Sequence, residues 1–407
     1  MLKLKIIIKK IYHILKQDGA DALVAKVIKN AQQLDVIGFY DYIIDNSLIH
    51  LNKEDVEKYQ IEDNKIILNW IVPEMGIGSG GHINIFRFVS YLQRKGHINR
   101  IYLFNSTRFK SNEQVKKFLM EHYPTLDSTV EVYCDTSQIQ FAHATLATSW
   151  HTAYFVKRFN NTLQKFYFVQ DFEPFFYAHG SEYAFAEATY KFGFIGITAG
   201  GWLKEKLSKE YQMNCYDFGF SYDKHLYKPI EKRDNIKRIL FYARPVTPRR
   251  SFEIGLLAIN ELHKKMPEVG VIFAGWDVSN YEIPFPHLNA GSVALDGLPD
   301  LYSQCDICLA LSNTNLSLLP LEVMACNSVI MSNNDDHVRW LLNEDNSILS
   351  NLDPNDIADK LYYYLNNEDE LDKIRGNGYK CAINTSWDNE GKKVEEYILE
   401  EINNNVK

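Results

Sequence analysis

Residues 65–104 read KIILNWIVPEMGIGSGGHINIFRFVSYLQRKGHINRIYLF and predict a β–α–β unit. The apolar run at 65–73 ends in a proline and is typical of a buried strand. After the glycines, apolar residues at positions 85, 88, 89 and 92 have helical spacing, and Gly96 is a fitting end for that helix. The run at 99–104 predicts a second strand. A strand, a helix and a second strand in this order build a parallel sheet.

The rest of the chain repeats this pattern in two series. In the first series, short β-rich runs lie at 130–135, 144–150, 165–171 and 192–198. A second series begins after Pro229, with a helix predicted at 251–266 and strands at 238–245, 269–276, 306–312 and 328–333. We therefore expect an α/β protein with two doubly wound, Rossmann-like domains that bind ligands at the carboxyl ends of their strands. The expected divisions are a helical extension (1–65), a first domain (66–228), a second domain (229–375) and a final helix crossing back to the first domain (376–407).

Composition excludes several classes of protein. The chain has 407 residues and a net charge of −8, which argues against nucleic acid as a partner because such binding rests on cationic contacts to phosphate. Its six cysteines are too sparse for a disulfide scaffold, and the Cys305–Cys308 pair lies in an apolar run without further ligands at zinc spacing. These features predict a cytoplasmic protein with structural cysteines.

The N-terminal segment is strongly basic. Residues 1–16 contain five lysines and no acid, and residues 2–15 have the pattern of an amphipathic helix. Such a helix lies on an anionic membrane surface or packs against its own domain, and the sequence leaves both open. No run of about 20 apolar residues predicts a membrane span. The expected location is the cytoplasm, with contact at the inner face of the plasma membrane as one possibility.

A glycine-rich loop follows the first predicted strand. It runs Gly76-Ile-Gly78-Ser-Gly80-Gly81-His82 and opens a helix, so its backbone can approach an anionic ligand closely. A nicotinamide cofactor would require an acid after the next strand, where Asn105 stands instead; Arg108 leaves an NADP-linked oxidoreductase as a minor alternative. We expect the loop, with Gly78, Gly80 and Gly81, to contact a sugar phosphate or an acceptor.

Two carboxylates follow the strand at 165–171. In extended backbone Asp171 and Glu173 would face the same side, where they could bind a metal or supply a general base. Because the architecture is two-domain, we favour a base over a metal site, with Asp171 as the first candidate and Glu173 and His82 after it. His151 also stands after a strand and is a candidate for the acceptor side of the cleft.

The second domain offers groups that suit a diphosphate. Arg244 ends a strand, and Arg249 and Arg250 precede a helix, where guanidinium groups can bind phosphate oxygens in pairs. Backbone amides near Ser317, Leu318 and Leu319 would meet phosphates at the start of the helix that begins near Pro320. Glu322, in the first turn of that helix, can accept hydrogen bonds from ribose hydroxyls.

Taken in order, these motifs resemble glycosyltransferase family 4 enzymes of the GT-B fold. The similarity is carried by GSGGHINIF, YFVQDFEPFFY, SEYAFAEATYKFGF, FYARPVTPRRSF, VIFAGWD and LPLEVMAC. More narrowly, the chain looks like the bacterial rhamnosyltransferases that build surface glycans from dTDP-rhamnose. The resemblance implies that Arg244 and Arg249 neutralise the donor diphosphate without a metal or other cofactor. It also implies that Glu322 is the second glutamate of the E-x7-E motif.

The chain departs from the broad family at Thr314, where the first glutamate of that motif is expected, so a retaining mechanism does not follow. The aromatic side chains Phe172, Phe175 and Trp276 are expected to line a pocket for the methyl group of rhamnose. The expected partners are a sugar-nucleotide donor and a lipid-linked or oligosaccharide acceptor. A hexosyltransferase using a UDP-sugar and a non-catalytic scaffold that binds sugar nucleotides stay open as alternatives.

Overall fold

The computed structural model describes residues 35–406, which include two parallel β-sheets. The first sheet contains seven strands in the order β3-β2-β1-β4-β5-β6-β7. Their bounds are β1 Ile67–Pro73, β2 Ile98–Phe104, β3 Glu131–Tyr133, β4 Ala142–Ala147, β5 Thr162–Val169, β6 Ile195–Ala199 and β7 Cys215–Phe218. Ile67 pairs with Ile98 of β2, and Leu68 pairs with Ala144 of β4, so β1 is an interior strand between β2 and β4.

The second sheet contains six parallel strands in the order β10-β9-β8-β11-β12-β13. Their bounds are β8 Arg238–Tyr242, β9 Gly270–Ala274, β10 Leu288–Gly291, β11 Ile307–Leu309, β12 Val329–Asn333 and β13 Ile348–Ser350. Strands β7, β10 and β13 are absent from the sequence prediction, since each is only three or four residues long and lies at a sheet edge. The predicted α/β class with two doubly wound sheets is confirmed.

Helices connect the strands and cover the sheets. Their bounds are α1 Val36–Ile44, α2 Lys53–Lys58, α3 Gly80–Arg94, α4 Asn112–His122, α5 Trp150–Arg158, α6 Ser181–Ala188, α7 Gly201–Tyr211, α8 Phe252–Lys265, α9 Leu298–Ser303, α10 Leu319–Ala325, α11 Asp336–Arg339, α12 Pro354–Asn366, α13 Glu368–Ile383 and α14 Trp387–Val406. None of the described helices is long and apolar enough to cross a membrane.

Helix α3 illustrates how the pattern sets the packing. Ile85, Phe88, Val89 and Leu92 are buried, as their spacing predicts. Gly96 just beyond the helix has a φ of +89°, a left-handed conformation that glycine adopts without strain. The predicted helix and its end are therefore confirmed.

The last helix returns to the first sheet. Helix α14 packs against α3 and against strands β4, β5 and β7, and its Val394, Ile398 and Ile402 are fully buried. Gly391 allows a close approach, because a Cβ there would lie 2.6 Å from the Tyr91 ring. The chain thus crosses from the first domain to the second after β7 and returns to the first domain with α14.

Residues 35–47 belong to a separate compact unit. Its helix α1 is capped by the Asp35 carboxylate, which accepts a hydrogen bond from the Gly38 amide at 2.8 Å. The amphipathic helix predicted at 2–15 lies outside the described residues.

Candidate active site

Three arginines gather after strand β8. Arg244 stands two residues beyond the strand, and Arg249 and Arg250 end a short 3-10 turn that begins at Pro248. The Nε atoms of Arg244 and Arg249 are buried and have no hydrogen-bond partner among residues 35–406. Burial lowers the pKa of Arg249, as do the charges of Arg250 and Arg244, while Asp171 acts in the opposite direction. Arg244 and Arg249 are therefore close enough for their charges to interact, and the turn after β8 concentrates positive charge.

Aromatic rings support two of these guanidinium groups. The Arg249 guanidinium lies 4.3 Å from the centre of the Phe176 ring, and that of Arg244 lies 5.7 Å from the Trp276 ring. Gly275 fixes the approach of Trp276: its φ is +107°, and a Cβ there would lie 2.8 Å from the Tyr242 ring. A residue without a side chain is therefore required at 275 for the strand end that presents Trp276.

Arg250 has a different environment from its neighbours. It donates a hydrogen bond to the Ser312 hydroxyl at 2.8 Å, and Ser312 is buried. Arg250 thereby ties the arginine turn to the loop that follows β11. The structure assigns it to holding this loop, while Arg244 and Arg249 keep their donors available.

Asp171 extends from the first domain and contacts the second. Its Oδ2 accepts a hydrogen bond from the Thr314 hydroxyl at 2.9 Å, and its Oδ1 accepts from the Asn315 amide at 2.9 Å and from the Phe172 amide at 2.8 Å. Burial raises the pKa of Asp171, and the bonds from Asn315 and Thr314 and the nearby arginines oppose that rise. A carboxylate is thus held beside the arginine cluster.

The expectation that Asp171 and Glu173 face the same side is wrong. The chain turns at Glu173 into a 3-10 helix (Glu173–Phe176), with Pro174 in its first turn, so the backbone is not extended there. Glu173 instead points into its own domain, where it accepts hydrogen bonds from the Tyr167 hydroxyl at 2.7 Å and the Trp150 amide at 2.9 Å. Burial raises the pKa of Glu173 to about 7.

Glu322 lies in a neighbouring cluster. It is hydrogen-bonded to Tyr227, and burial raises its pKa to about 7 while the charge of Arg87 opposes the rise. The Arg87 guanidinium, on α3 of the first domain, lies 5.1 Å from the centre of the Trp387 ring, and its Nε is buried without a described partner. Within the described part of the chain, Glu322 is therefore grouped with Arg87 and Tyr227 and makes no direct contact with Arg244 or Arg249.

The predicted phosphate loop leads into α10. This helix begins at Leu319, immediately before Pro320, as the sequence predicts. The Leu319 amide already donates a weak hydrogen bond to the Ser317 hydroxyl at 3.4 Å, and Leu318 is the cap residue without a side-chain bond. The predicted start of the helix is confirmed, and the role of the amides at 317–319 as anion ligands stays a prediction.

The glycine loop is braced by side chains of its own domain. His82 bonds through Nδ1 to the Ser79 hydroxyl at 2.7 Å and through Nε2 to the Pro73 carbonyl at 3.1 Å. Burial lowers its pKa. Gly78 has a φ of +69°, and the carbonyl of Gly81 accepts a hydrogen bond from Gln170 at 3.0 Å. Gly80 begins α3, and a Cβ built at this position would have no other atom within 4 Å.

His151 and Arg108 are also engaged. The His151 ring stacks on Trp150 at 3.6 Å, and burial lowers its pKa to about 4, which favours the neutral ring. Arg108 donates to the Met75 carbonyl at 2.6 Å and lies 4.4 Å from the centres of the Phe109 and Phe118 rings. These contacts disfavour Arg108 as a ligand for a 2′-phosphate and weaken the NADP alternative.

Two of the three residues predicted to line a pocket for a sugar methyl group contact each other: the ring centres of Phe172 and Phe175 are 4.7 Å apart. Phe172 is buried and also stacks on Tyr190 at 5.4 Å, whereas Phe175 is 40% exposed and Trp276 is 38% exposed. Phe172 packs in the core because Tyr190 and Tyr211 surround it. Trp276 is the member of the group that lies beside the arginines.

Asn315 is a residue that the sequence pattern did not single out. Its side-chain amide donates to the carbonyls of Gln170 at 2.9 Å and Ala199 at 2.7 Å, and its Oδ1 accepts from the Trp340 indole at 2.8 Å. It therefore joins the ends of two strands of the first sheet to the second domain. The sequence signal was the polar run SNTNLS between a strand and a helix, which does not distinguish this residue from its neighbours.

The described part of the chain contains no cluster of side chains suited to a metal ion. Across residues 35–406, no group of three or more His, Cys, Asp and Glu side chains is arranged to hold an ion. Cys308 is buried in β11, and Cys305 precedes that strand with its Sγ 3.3 Å from the Leu301 carbonyl. Both are part of the core.

Two parallel sheets whose carboxyl edges meet across a cleft define the GT-B fold of glycosyltransferases. Sucrose-phosphate synthase from Thermosynechococcus elongatus has this chain's architecture, with a TM-score of 0.63 at 11% identity over 83% of this chain and 99% of that one. HepE from Anabaena, solved with UDP and glucose, gives 0.61 at 14% identity over 81% and 98%. At such identities these similarities establish the fold.

Sequence comparisons sharpen the assignment. Residues 98–198 match the family described as WsaF, N-terminal domain, and residues 237–362 match WsaF, C-terminal domain. The O-antigen biosynthesis protein RfbC of Myxococcus xanthus is 30% identical over 339 residues, which cover 81% of this chain and 27% of RfbC. This chain therefore corresponds to a minor part of that relative's length. The two matched ranges together cover more than half of the chain, which therefore belongs to the WsaF family and has the fold of GT-B glycosyltransferases.

Proposed function

We propose that this chain transfers a sugar from a nucleoside diphosphate to a growing bacterial surface glycan. The observation that carries the proposal is the pair Arg244 and Arg249, whose buried Nε atoms have no hydrogen-bond partner in the described chain. A diphosphate would satisfy these donors and neutralise their charge. As the sugar leaves, the same guanidinium groups would stabilise the charge that develops on the diphosphate.

The first-choice donor is dTDP-rhamnose, with transfer of L-rhamnose. Support comes from the resemblance to surface-glycan rhamnosyltransferases and from the exposed Trp276 face beside Arg244, which suits the methyl group of a deoxysugar. A UDP-hexose is the second candidate, and it is favoured by the structural similarity to HepE, which was solved with UDP and glucose. In either case Glu322 would hold the ribose from the neighbouring cluster that it forms with Arg87 and Tyr227, so the nucleoside would extend from the arginines toward that cluster.

The acceptor would be a neutral glycan, free or linked to a lipid. A groove of about 810 Å³ lies between α7, α11, the end of β7 and the start of α14, and its walls include Trp202 and Trp340. Its lining also contains four carboxylates and two cations: Glu205, Asp217, Asp336, Glu390, Arg339 and Lys393. The excess of carboxylates disfavours a phosphate there, whereas aromatic faces and paired polar groups suit sugar rings. Residues 2–15 would add membrane contact if the acceptor is lipid-linked.

A binding panel tests the donor proposal. Isothermal titration with dTDP, UDP, dTDP-rhamnose and UDP-glucose should show binding of at least one diphosphate, and Arg244→Ala and Arg249→Ala should each weaken it. Arg233→Ala is the matched control, because Arg233 is an exposed arginine of the same domain paired with Asp300. Binding without turnover on any membrane-extracted acceptor would favour the scaffold alternative. If the wild-type chain and the three variants bound the nucleotides equally well, the proposed site would be contradicted.

A further inference from the structure

Phe176 is a large apolar residue that the fold leaves partly at the surface. The residue is 39% exposed, whereas Phe172 of the same segment is buried in the first domain. The group that lies over the Phe176 ring is the Arg249 guanidinium, 4.3 Å from the ring centre. Phe176 follows β5 of the first sheet and Arg249 follows β8 of the second, so this contact joins the two domains.

The turn that carries Phe176 is anchored within the first domain. Its first residue, Glu173, accepts a hydrogen bond from the Tyr167 hydroxyl at 2.7 Å. The Tyr177 amide closes the turn by donating to the Pro174 carbonyl at 3.2 Å, and the proline itself restricts the backbone. Phe176 is therefore presented to the second domain from a fixed backbone.

The backbone of Arg249 is anchored in the second domain. The Asn313 amide donates to the Arg249 carbonyl at 2.9 Å, and the Asn313 side chain donates to the same carbonyl at 3.2 Å. The next residue, Thr314, donates its hydroxyl to Asp171 at 2.9 Å, just before the turn that carries Phe176. The loop after β11 thus holds both the arginine turn and the segment that leads to the ring, and it sets the distance between them.

A ring over a guanidinium group leaves its N–H groups available. The guanidinium is planar, its five donors lie in that plane, and its face stacks on aromatic rings. Support from Phe176 is therefore compatible with a diphosphate bound at the edge of Arg249, whose Nε has no hydrogen-bond partner within residues 35–406. A long arginine side chain loses freedom when an anion binds it, and a side chain already held in place loses less.

We propose that Phe176 is a positioning residue of the donor site, through which the first domain holds Arg249 ready for the diphosphate. The inference rests on the proposed function, because it takes the donor to be a sugar nucleotide bound at Arg244 and Arg249. It also makes the two arginines unequal, since Arg244 is supported by Trp276 of its own domain, whereas Arg249 depends on a ring from the other domain.

Isothermal titration of the full chain with UDP and dTDP tests the inference. Phe176→Leu removes the ring and keeps an apolar side chain, and we expect the Kd of the bound nucleotide to rise about 3–10-fold. Phe176→Tyr restores the ring and should stay within about twofold of wild type. Because the residue is partly exposed, both variants should fold. A lower melting temperature of Phe176→Leu with an unchanged Kd would show a purely structural role and overturn the inference.

Steady-state kinetics separate positioning from catalysis. If Phe176 only prepares Arg249, its loss affects the bound donor and the transition state alike, so the donor KM of Phe176→Leu should rise about 3–10-fold. Its kcat should stay within about threefold of wild type. A fall in kcat of about 100-fold or more with an unchanged donor KM would contradict this role.

Phe192→Leu is the matched control. The Lys157 ammonium lies 4.5 Å from the centre of the Phe192 ring, so this variant loses a ring beside a cation within the first domain alone. Its Kd for UDP and dTDP should equal that of wild type. An equal rise in Phe192→Leu and Phe176→Leu would mean that loosening of the first domain is responsible, and the inference would fail.

A double-mutant cycle tests whether Phe176 acts through Arg249. In the Arg249→Ala background, Phe176→Leu should change the Kd by less than about twofold, because the group that the ring positions is already absent. An undiminished effect in that background would overturn the inference. The proposed function fails separately: if the wild-type chain binds neither nucleotide nor its sugar conjugate, the donor site itself is wrong, whereas wild-type binding with no effect of Phe176→Leu overturns the positioning role alone.

Discussion

The facing edges of the two sheets differ in how their polar groups are satisfied. On the first domain, His82 is bonded to Ser79 and Pro73, and Glu173 is bonded to Tyr167 and Trp150. On the second domain, Arg244 and Arg249 keep buried donors without a described partner. Groups that are already satisfied stabilise the fold, whereas unsatisfied cations are suited to an anion that arrives later. Chemistry should therefore depend on the second edge and stability on the first.

The largest expected effect is on the second edge. Arg249→Ala should lower turnover about 10²–10³-fold, because the guanidinium stabilises charge on the leaving diphosphate. Its melting temperature should change little, since the Arg249 Nε has no hydrogen-bond partner among residues 35–406 that the substitution would remove. Arg233→Ala should show wild-type kinetics. A large loss of stability with normal turnover in Arg249→Ala would reverse the assignment of this edge.

The next effect concerns the first edge, where Gly200 follows β6. Its φ is +87°, and a Cβ there would lie 2.6 Å from the Trp340 ring. Gly200→Ala should reduce the free energy of unfolding by about 3 kcal/mol, the sum of backbone strain and overpacking. Gly201→Ala is the control, since nothing lies within 4 Å of its Cβ, and it should be neutral or stabilising by up to about 1 kcal/mol. Urea unfolding of both variants would measure the difference.

Glu173, on the first edge, should make the free energy of unfolding depend on pH. Burial raises its pKa to about 7 in the folded chain from 4.5, so folding favours its protonated form. The stability associated with this proton is complete below pH 4.5 and is lost as the pH rises through 7. We expect this loss to be roughly 2–3 kcal/mol between these limits.

Glu173→Gln should remove that part of the pH dependence. The amide keeps both contacts, accepting from the Trp150 amide and donating to the Tyr167 hydroxyl. Unfolding at about pH 5 and about pH 7.5, on either side of the shifted pKa, should show a smaller difference in stability for this variant than for wild type. The exposed Glu282→Gln should leave the wild-type difference in place, and an unchanged slope in Glu173→Gln would show that Glu173 is not the group responsible.

The smallest effect belongs to the start of α5. Ser149 caps this helix by accepting from the Thr152 amide, and the Thr152 hydroxyl accepts from the Ser149 amide in return. Ser149→Ala should cost about 1 kcal/mol of stability, with no change in kcat. A fall in kcat beyond the loss of folded protein would show that this turn reaches the acceptor.

Local patterns predicted much of this molecule, and contacts between the domains account for what they missed. The unit at 65–104 was predictable because strand, glycines and helix each carry a short-range signal. Arg244 and Arg249 were predictable as a pair because both follow the same strand. The bond from Thr314 to Asp171 joins residues 143 positions apart, and it depends on how the domains close. The Glu322 cluster escaped prediction for the same reason, since Arg87 comes from a helix of the other domain.

The return of α14 to the first sheet has a consequence for dissecting the protein. The last strand of the first domain ends at Phe218, but the interior of that domain is completed much later in the chain by Val394, Ile398 and Ile402 of α14. A fragment cut after residue 228 would expose the apolar surface that these side chains cover and would tend to aggregate. A separable acceptor-side domain would require α14 to be grafted onto that fragment through a designed linker.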